Sequence, residues 1–290
     1  MSQHVTIRPV ASKADRRAFV DFAWEAYKDD PAWIPPLKDE VHGLLDPAKN
    51  PWFAHGRAAL WLALRGERVV GRISAQVDDL VQVHMAAGLG QWGMFDALDG
   101  ETAALLIATA EEWLRGQKMK SVLAPISISI WDEPGLLIEG FDQPPMVMMG
   151  HHRPAYRAWI EAAGYAKAKD LVTYDLDIDK EQPKLIDRMV AAVERNPRIR
   201  IRNVDKAQFA RDSAIILNLL NDAWSDNWGF VPLTDAEIAY AGKKLKPIIF
   251  EDLVRIAELD GEPVAFMICI PDINEMTADL DGRLLGVTVT

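Results

Sequence analysis

Two short segments recur along this chain in the same order and at nearly the same spacing, and this repeat constrains the fold more than any other feature. The stretch 35–39 (PPLKD) corresponds to 231–235 (VPLTD), an offset of 196 residues. The stretch 66–70 (GERVV) corresponds to 261–264 (GEPV), an offset of 194 to 195 residues. Ordered matches at one period indicate an internal duplication. The chain is therefore predicted to contain two copies of one α/β module.

Apolar periodicity predicts the elements of the first copy, because strands alternate every two residues and helices repeat every 3.6 residues. A turn at 66–68 separates two strand patterns and predicts a hairpin. The helical pattern at 101–116 ends at a glycine, which suits a helix terminus. The full set comprises strands at 5–9, 58–65, 69–78, 90–95 and 121–126, helices at 15–27, 101–116 and 153–163, and a closing pair of strands at 165–169 and 171–177.

The order of elements starts again after residue 178. Helical patterns occupy 181–194 and 207–224, a strand pattern lies between them at 199–203, and the repeated hairpin follows. We therefore expect one domain at 1–178 and a second domain at 179–290. The segment 286–290 has the pattern of the start of a strand.

Composition excludes several classes of protein. The 290 residues are enough for two ordinary domains of roughly 100–200 residues, and the single cysteine, Cys269, excludes a disulfide framework or a cysteine-rich zinc site. The 32 basic and 43 acidic residues give a net charge of −11, which argues against nucleic-acid binding. No metal site is predicted. With no visible secretory signal and no apolar run near the roughly 20 residues of a membrane span, we expect a cytoplasmic protein.

Four segments carry a resemblance to a known superfamily. They are 90–95 (GQWGMF), the helix at 101–116, 135–145 (GLLIEGFDQPP) and 156–165 (YRAWIEAAGY). With a hairpin before the central strand and helix, this order resembles the GNAT superfamily of N-acyltransferases, and in particular tandem GNAT-like bacterial proteins. The resemblance implies an α/β (α+β) fold with a mixed, mostly antiparallel sheet flanked by helices. This fold would be duplicated, with the second copy truncated before its cofactor half.

The resemblance implies that an acyl-CoA, either acetyl-CoA or a longer one, binds as co-substrate where two central strands separate. These strands would be 91–95 and 121–126, and the pyrophosphate would lie at the start of the next helix, where backbone N–H groups attract anions. The residues implied in binding are Trp92, Gly93, Met94, Phe95, Leu98, Asp99, Gly100, Glu101, Thr102 and Ala103. An alternative stays open, because Asp99 and Glu101 repel pyrophosphate but suit a capped helix without a ligand.

Three side chains are candidates for the acid–base chemistry of such a reaction. The usual tyrosine of the family falls on Ile160, so Tyr156, one helical turn earlier, is the candidate acid; core packing with a bonded hydroxyl is its alternative role. His152 is a candidate base for an incoming ammonium group, because imidazole titrates near neutral pH. Its alternative is a structural pair with its neighbour at the start of a helix. Glu139 is suited either to hold a cationic amine or to remain a solvated charge at the rim.

The segment 134–149 is rich in apolar side chains and methionines. Flexible thioethers suit adaptable apolar surfaces, so this segment is either a groove for a long-chain substrate or a loop folded over the core.

The leading hypothesis is an N-acyltransferase that transfers an acyl group from acyl-CoA to an amine, and a long-chain amine such as a sphingoid base fits the apolar segment. The alternative is a non-catalytic GNAT-like module that binds a ligand or a partner. The expected partner is a small-molecule or lipid-like amine, with no nucleic acid and no integral membrane segment. Strand edges of an incomplete second sheet also predict a homo-oligomer.

Overall fold

The computed structural model describes residues 4–284 of the chain. Up to residue 169 the strands and helices are β1 (Val5–Pro9), α1 (Lys13–Ala26), α2 (Lys38–Leu44), β2 (Gly56–Arg65), β3 (Arg68–Asp78), α3 (Asp79–His84), β4 (Leu89–Ala97), α4 (Gly100–Gly116), β5 (Ser121–Leu123), β6 (Ile126–Ser127), β7 (Glu133–Pro134) and α5 (Ala155–Ala162). The later ones are α6 (Lys184–Glu194), β8 (Ile199–Asn203), α7 (Phe209–Trp224), α8 (Asp235–Leu245), β9 (Val254–Leu259), β10 (Glu262–Ile268) and α9 (Ile273–Thr277).

The described residues form two compact units. The first unit comprises the described residues up to 169, together with 229–231 and those from 272 onward. The second unit comprises residues 170–228 and 232–271. The first unit is built on a five-stranded sheet in the order β1-β2-β3-β4-β5, in which β5 runs parallel to β4 and all other neighbours are antiparallel. The predicted hairpin is formed by β2 and β3.

Helices cover both faces of the five-stranded sheet. Adjacent residues of β2 point to opposite faces, so Trp61 and Leu62 belong to different cores. On one face, Leu106 of α4 packs in the core that contains Trp61 and Trp92. On the other face, Phe19 of α1 packs in the core that contains Leu62. The apolar stripe of each helix, which recurs with the helical period, therefore buries one side of the sheet.

The second unit has a three-stranded antiparallel sheet in the order β8-β9-β10. Its small core contains Val204, Phe209, Ile216, Ile249, Val254 and Ile256. Other apolar side chains of this sheet, including Ile201 and Val264, are exposed. Helix α6 has no buried residue. The second unit thus buries one face of its sheet and leaves apolar side chains of the other face accessible.

The two units repeat one order of elements. The series β1, α1, α2, β2, β3 in the first unit corresponds to the series β8, α7, α8, β9, β10 in the second. In both sheets the first strand of the series pairs antiparallel with the first strand of the hairpin. The step formed by β4 and α4 has no counterpart among the described residues of the second unit. The architecture is the expected mixed α/β one, with antiparallel sheets flanked by helices.

The closing strand pair predicted at 165–169 and 171–177 is wrong. Residues 165–177 form neither strand nor helix. Val172, Tyr174 and Leu176 alternate as they would in a strand, but all three are exposed. Alternation supplies an apolar face, whereas a strand also needs a neighbour that bonds its backbone groups. No strand among residues 4–284 pairs with this segment.

Two further strands predicted from the sequence, at 121–126 and at 286–290, are compared with the structure as follows. The strand predicted at 121–126 is interrupted, because β5 ends at Leu123, the Ala124–Pro125 peptide bond is cis, and β6 begins at Ile126. The strand start predicted at 286–290 lies outside the described residues. Within residues 4–284, every helix is too short or too polar to cross a bilayer.

Candidate active site

Strand β4 carries a bulge at Met94. Arg72 of β3 faces Asp96, but two residues further along β3, Ser74 faces Gly93, so β4 has one extra residue in this interval. Met94 adopts a left-handed φ of 44°, a conformation that bulges accommodate and regular strands do not. The bulge turns the Met94 N–H out of the ladder, and it donates to Ser127 Oγ at 3.0 Å.

The chain crosses β4 just beyond the point where β4 and β5 separate. These strands pair only from Leu89 to Gln91 on the β4 side. Further along, a Cβ at Gly93 would collide with the Ile126 carbonyl group and with the Ser127 nitrogen. Only glycine permits this approach, which brings β6 over the bulge. Gln76 of β3 secures the crossing by donating from Nε2 to the Ile126 oxygen.

The antiparallel pair β6–β7 brings a carboxylate to the bulge. Glu133 of β7 lies directly opposite Ser127 of β6, and opposite residues of an antiparallel pair share one face. A Cβ at Gly150 would lie 2.5 Å from Glu133 Oε1, so this carboxylate rests against the Gly150 backbone. The same oxygen is 3.5 Å from His152 Nε2. Glu133 is therefore held between the bulge and His152.

Burial sets the protonation of Glu133 and His152. The Leu137 N–H donates to His152 Nδ1 at 3.2 Å, so the ring proton is on Nε2 and faces Glu133. Burial lowers the pKa of His152 to about 4, which keeps the ring neutral. Burial, reinforced by the negative charge of Asp96, raises the pKa of Glu133 to about 7. Solvent that reaches the accessible 39% of the Glu133 side chain opposes this increase.

Asp96 is the centre of a buried polar cluster on β4. Arg72 Nε donates to one Asp96 oxygen at 2.7 Å, and the Tyr156 hydroxyl donates to the other at 3.1 Å. Arg72 also donates to the Phe19 carbonyl oxygen at 3.0 Å. Burial and the charge of Asp96 raise the pKa of Tyr156 well above its ordinary value of 10. Tyr156 therefore stays protonated and remains committed to Asp96.

His151 and His152 point to different partners. His151 Nε2 lies 2.9 Å from an oxygen of Asp30, and the His151 carbonyl oxygen accepts from the Tyr27 hydroxyl at 3.0 Å. His151 Nδ1 is buried and has no hydrogen-bond partner among the described residues. Of the pair, only His152 contacts Glu133, as expected for neighbours in an extended segment.

The start of α4 retains donors for an anion. Asp99 caps the helix, and its carboxylate accepts the Thr102 N–H at 2.9 Å. Arg65 lies 3.0 Å from Asp99 and 3.3 Å from Glu101, so its single positive charge offsets part of the two negative charges. The N–H groups of Gly100 and Glu101 have no acceptor within the helix, because the first turn of a helix leaves its donors unpaired. Two backbone donors and one cation therefore remain at this end.

The side chains expected to contact the co-substrate mostly face the core. Trp92, Phe95 and Ala103 belong to the buried core beneath α4, and Leu98 packs against it. The Thr102 hydroxyl is buried and has no hydrogen-bond partner among the described residues. Most of the side chains expected to contact the co-substrate are therefore engaged in packing. Of the predicted β4 set, Met94 is the half-buried side chain.

The three predicted acid–base residues lie in different environments. Tyr156 is fully buried, and its hydroxyl donates a hydrogen bond to Asp96. His152 is buried beside Glu133. Glu139 is exposed, and no described residue forms a hydrogen bond or ion pair with its carboxylate. The structure thus brings His152 and Tyr156 to one cluster and leaves Glu139 outside it.

Glu133, Ser127 and Arg65 are among the residues of this site that sequence reasoning missed. Glu133 and Ser127 lie in a long segment without periodicity, and only the β6–β7 pairing brings them together. Arg65 ends β2, and its contact with Asp99 follows from the position of α4. The two carboxylates at the helix start were the one available signal, because such a pair calls for a nearby cation.

No family model matches this sequence. The chain is 40% identical over 284 residues to protein YghO of Escherichia coli (strain K12), in an alignment that covers 96% of this chain and 71% of that protein. It is 39% identical over 284 residues to the bacterial ceramide synthase of Caulobacter vibrioides (strain NA1000 / CB15N), covering 97% of this chain and 73% of that protein. Each alignment extends across both units.

A solved structure has the same fold. It is a tandem GNAT protein from the clavulanic acid biosynthesis pathway, determined without AcCoA, which superposes with a TM-score of 0.50. The match covers 91% of this chain and 73% of that chain at 17% sequence identity, so the likeness concerns the fold alone. The GNAT architecture predicted from the sequence is confirmed.

Proposed function

We propose that this chain, which belongs to the family of protein YghO and the bacterial ceramide synthase, is an N-acyltransferase that transfers an acyl group from acyl-CoA to an amine. The observation that carries the proposal is Glu133, a carboxylate with a raised pKa opposite Ser127 at the bulge of β4. The name of the second relative supports acyl transfer as the general chemistry.

The first unit has the elements that an acyl-CoA requires. Beyond Gln91, β4 no longer pairs with β5, and we place the pantetheine arm at this separation of the two strands. The N–H groups of Gly100 and Glu101 are suited to the pyrophosphate, and Arg65 offsets part of the negative charge of that turn. The acyl-CoA would therefore lie along β4, with its phosphates at α4 and its thioester near the bulge.

Glu133 supplies the base in this proposal. An amine is protonated near neutral pH and must lose a proton before it can attack a thioester. A carboxylate with a pKa of about 7 accepts that proton more readily than an ordinary glutamate. The amine nitrogen then bonds to the carbonyl carbon and the C–S bond breaks. The second proton of that nitrogen passes, directly or through water, to the CoA thiolate, which leaves as the thiol. His152, neutral with its Nε2 proton toward Glu133, orients the carboxylate.

A long-chain amine, such as a sphingoid base, is the acceptor class we propose. Ile138, Met146, Met148 and Met149 are exposed apolar side chains in the segment that follows β7. Exposed apolar side chains close together are typical of surfaces that bind apolar partners. The segment begins directly after Glu133, so a chain bound there would keep its amine near the base.

One observation favours the alternative, a non-catalytic GNAT-like module. The Asp99 carboxylate already occupies the Thr102 N–H, and the Trp159 indole packs close to Gly100. Both side chains narrow the space at the start of α4. Binding without turnover is the outcome that this alternative predicts.

The proposal is tested by calorimetry with acetyl-CoA and a long-chain acyl-CoA, followed by release of free CoA in the presence of a long-chain primary amine. We expect micromolar binding and amine-dependent CoA release. Gly100→Leu should abolish binding, because a side chain there meets Trp159, whereas Gly116→Leu at the other end of α4 has open space and should bind normally. If the chain bound neither acyl-CoA, the proposal that it is an enzyme would be refuted.

A further inference from the structure

We propose that the Ser127 hydroxyl donates a hydrogen bond to the thioester carbonyl oxygen, and hence to the oxyanion that forms when the amine attacks. This role rests on the proposed acyl transfer, and it assigns to a side chain the donor that stabilises the developing charge.

Ser127 has an unused donor. Its oxygen accepts the Met94 N–H at 3.0 Å, but no described residue accepts a hydrogen bond from its hydroxyl proton. The residue is only 5% exposed, and a buried donor without an acceptor is unfavourable. A ligand oxygen would satisfy it. The hydroxyl is therefore a donor held in place before any ligand binds, which is the property that electrostatic catalysis requires.

The Ser127 hydroxyl lies where a thioester would have to be. Ser127 follows the crossing of β6 over Gly93, just beyond the separation of β4 and β5. Glu133 lies opposite it in the β6–β7 pair. The proposed base and the proposed donor thus flank one place, so an amine deprotonated by Glu133 meets a carbonyl group polarised by Ser127.

The bulge strengthens this donor. A hydroxyl that accepts a hydrogen bond becomes a better donor, because successive hydrogen bonds polarise one another. The Met94 N–H therefore contributes indirectly, by making the Ser127 hydroxyl a stronger hydrogen-bond donor. Tyr156 is unable to take this role, because its buried hydroxyl donates to Asp96.

Ser127 is not arranged as a nucleophile. His152 Nδ1 already accepts the Leu137 N–H, and its Nε2 proton faces Glu133. Neither ring nitrogen is free to remove the Ser127 proton, which an attacking serine needs. The acyl group would therefore pass directly from CoA to the amine.

The test compares Ser127→Ala with the neighbouring control Ser129→Ala, whose hydroxyl binds Asp132 and the Trp131 N–H instead. We expect Ser127→Ala to lower kcat by about 10²–10³, with the KM for acyl-CoA changed by less than about threefold. Ser129→Ala should keep kcat. The infrared carbonyl band of a bound, unreactive thioester analogue should shift to higher frequency in Ser127→Ala, a change that a purely structural role would not cause.

Three results would overturn this role while leaving the proposed function intact. They are an unchanged kcat in Ser127→Ala, a loss confined to KM, and an acyl group found covalently bound to Ser127 by mass spectrometry. If the wild-type protein gave no turnover with any amine, the proposed function itself would fail, and this role with it.

Discussion

The hairpins β2–β3 and β9–β10 occupy equivalent places in the repeated order but differ in what surrounds them. β3 lies inside a five-stranded sheet, and its Ile73 is fully buried. β10 is the edge of a three-stranded sheet, and its Val264 and Met267 are exposed. The difference comes from β4 and α4, which pair with and pack on β3 and have no counterpart among the described residues of the second unit.

The same two elements support the candidate site. The bulge at Met94, which bonds Ser127 of β6, belongs to β4, and the two N–H groups without an acceptor inside their helix belong to α4. The repeated series of one strand, two helices and a hairpin therefore makes a small core by itself, and the addition of β4 and α4 makes a larger core and supports a site. Stability and chemistry are expected to depend on the same residues in the first unit.

The largest expected effect is at the core beneath α4. Trp92 is fully buried there, so Trp92→Ala should lower the free energy of unfolding by about 3–5 kcal/mol. Val264→Ala in the second unit should change it by less than about 0.5 kcal/mol, because that side chain is half exposed. Urea denaturation, followed by hydrogen exchange in β4 and β10, distinguishes the two. Equal losses in the two variants would contradict the conclusion that β4 and α4 give the first unit its larger core.

A second effect concerns the polar interior of the second unit. Asp212 is fully buried and accepts from Arg202 at 2.8 and 3.0 Å, and Arg202 also donates to Glu258 at 2.6 Å. Asp212→Ala leaves a partly buried guanidinium group without its main partner, which should cost roughly 3 kcal/mol. Thermal unfolding of the variant measures this, with the exposed Asp226→Ala as control. A loss no larger than the control's would mean that apolar packing alone holds this unit.

The smallest expected effect is a dependence of the free energy of unfolding on pH, caused by Glu133. Its folded pKa of about 7 exceeds the ordinary 4.5, so between these values the native state retains a proton that the unfolded state has lost. The free energy of unfolding therefore falls as the pH rises. Glu133→Gln has no carboxyl group at this position and does not lose stability in this way. The Tm of the variant minus the Tm of the wild type should therefore increase by roughly 2 °C between pH 5 and pH 8. Glu112→Gln, at an exposed site, should follow the wild type, and a matching slope in Glu133→Gln would contradict the raised pKa.

The sequence was sufficient to predict those elements that are specified by local patterns of residues. The hairpin β2–β3 and the helix α4 were predicted from turn residues and from apolar periodicity, which are local signals. The prediction of a strand pair at 165–177 was wrong because the alternation of apolar residues such as Val172 and Tyr174 does not show whether a neighbouring strand is present to bond the backbone. Glu133 was missed because its environment arises from pairing with Ser127 and from the packing of His152. Long-range contacts of this kind leave no spacing to recognise in one sequence.

The central claim is that Glu133 serves acyl transfer to an amine, and the most direct test is the product itself. The wild-type chain is incubated with ¹³C-labelled long-chain acyl-CoA and a long-chain primary amine, and the labelled amide is quantified by mass spectrometry. We predict amide formation by the wild type and by Glu112→Gln, with a rate lower by about 10²–10⁴ in Glu133→Gln. Equal rates in Glu133→Gln and wild type, or no labelled amide from the wild type, would contradict the account.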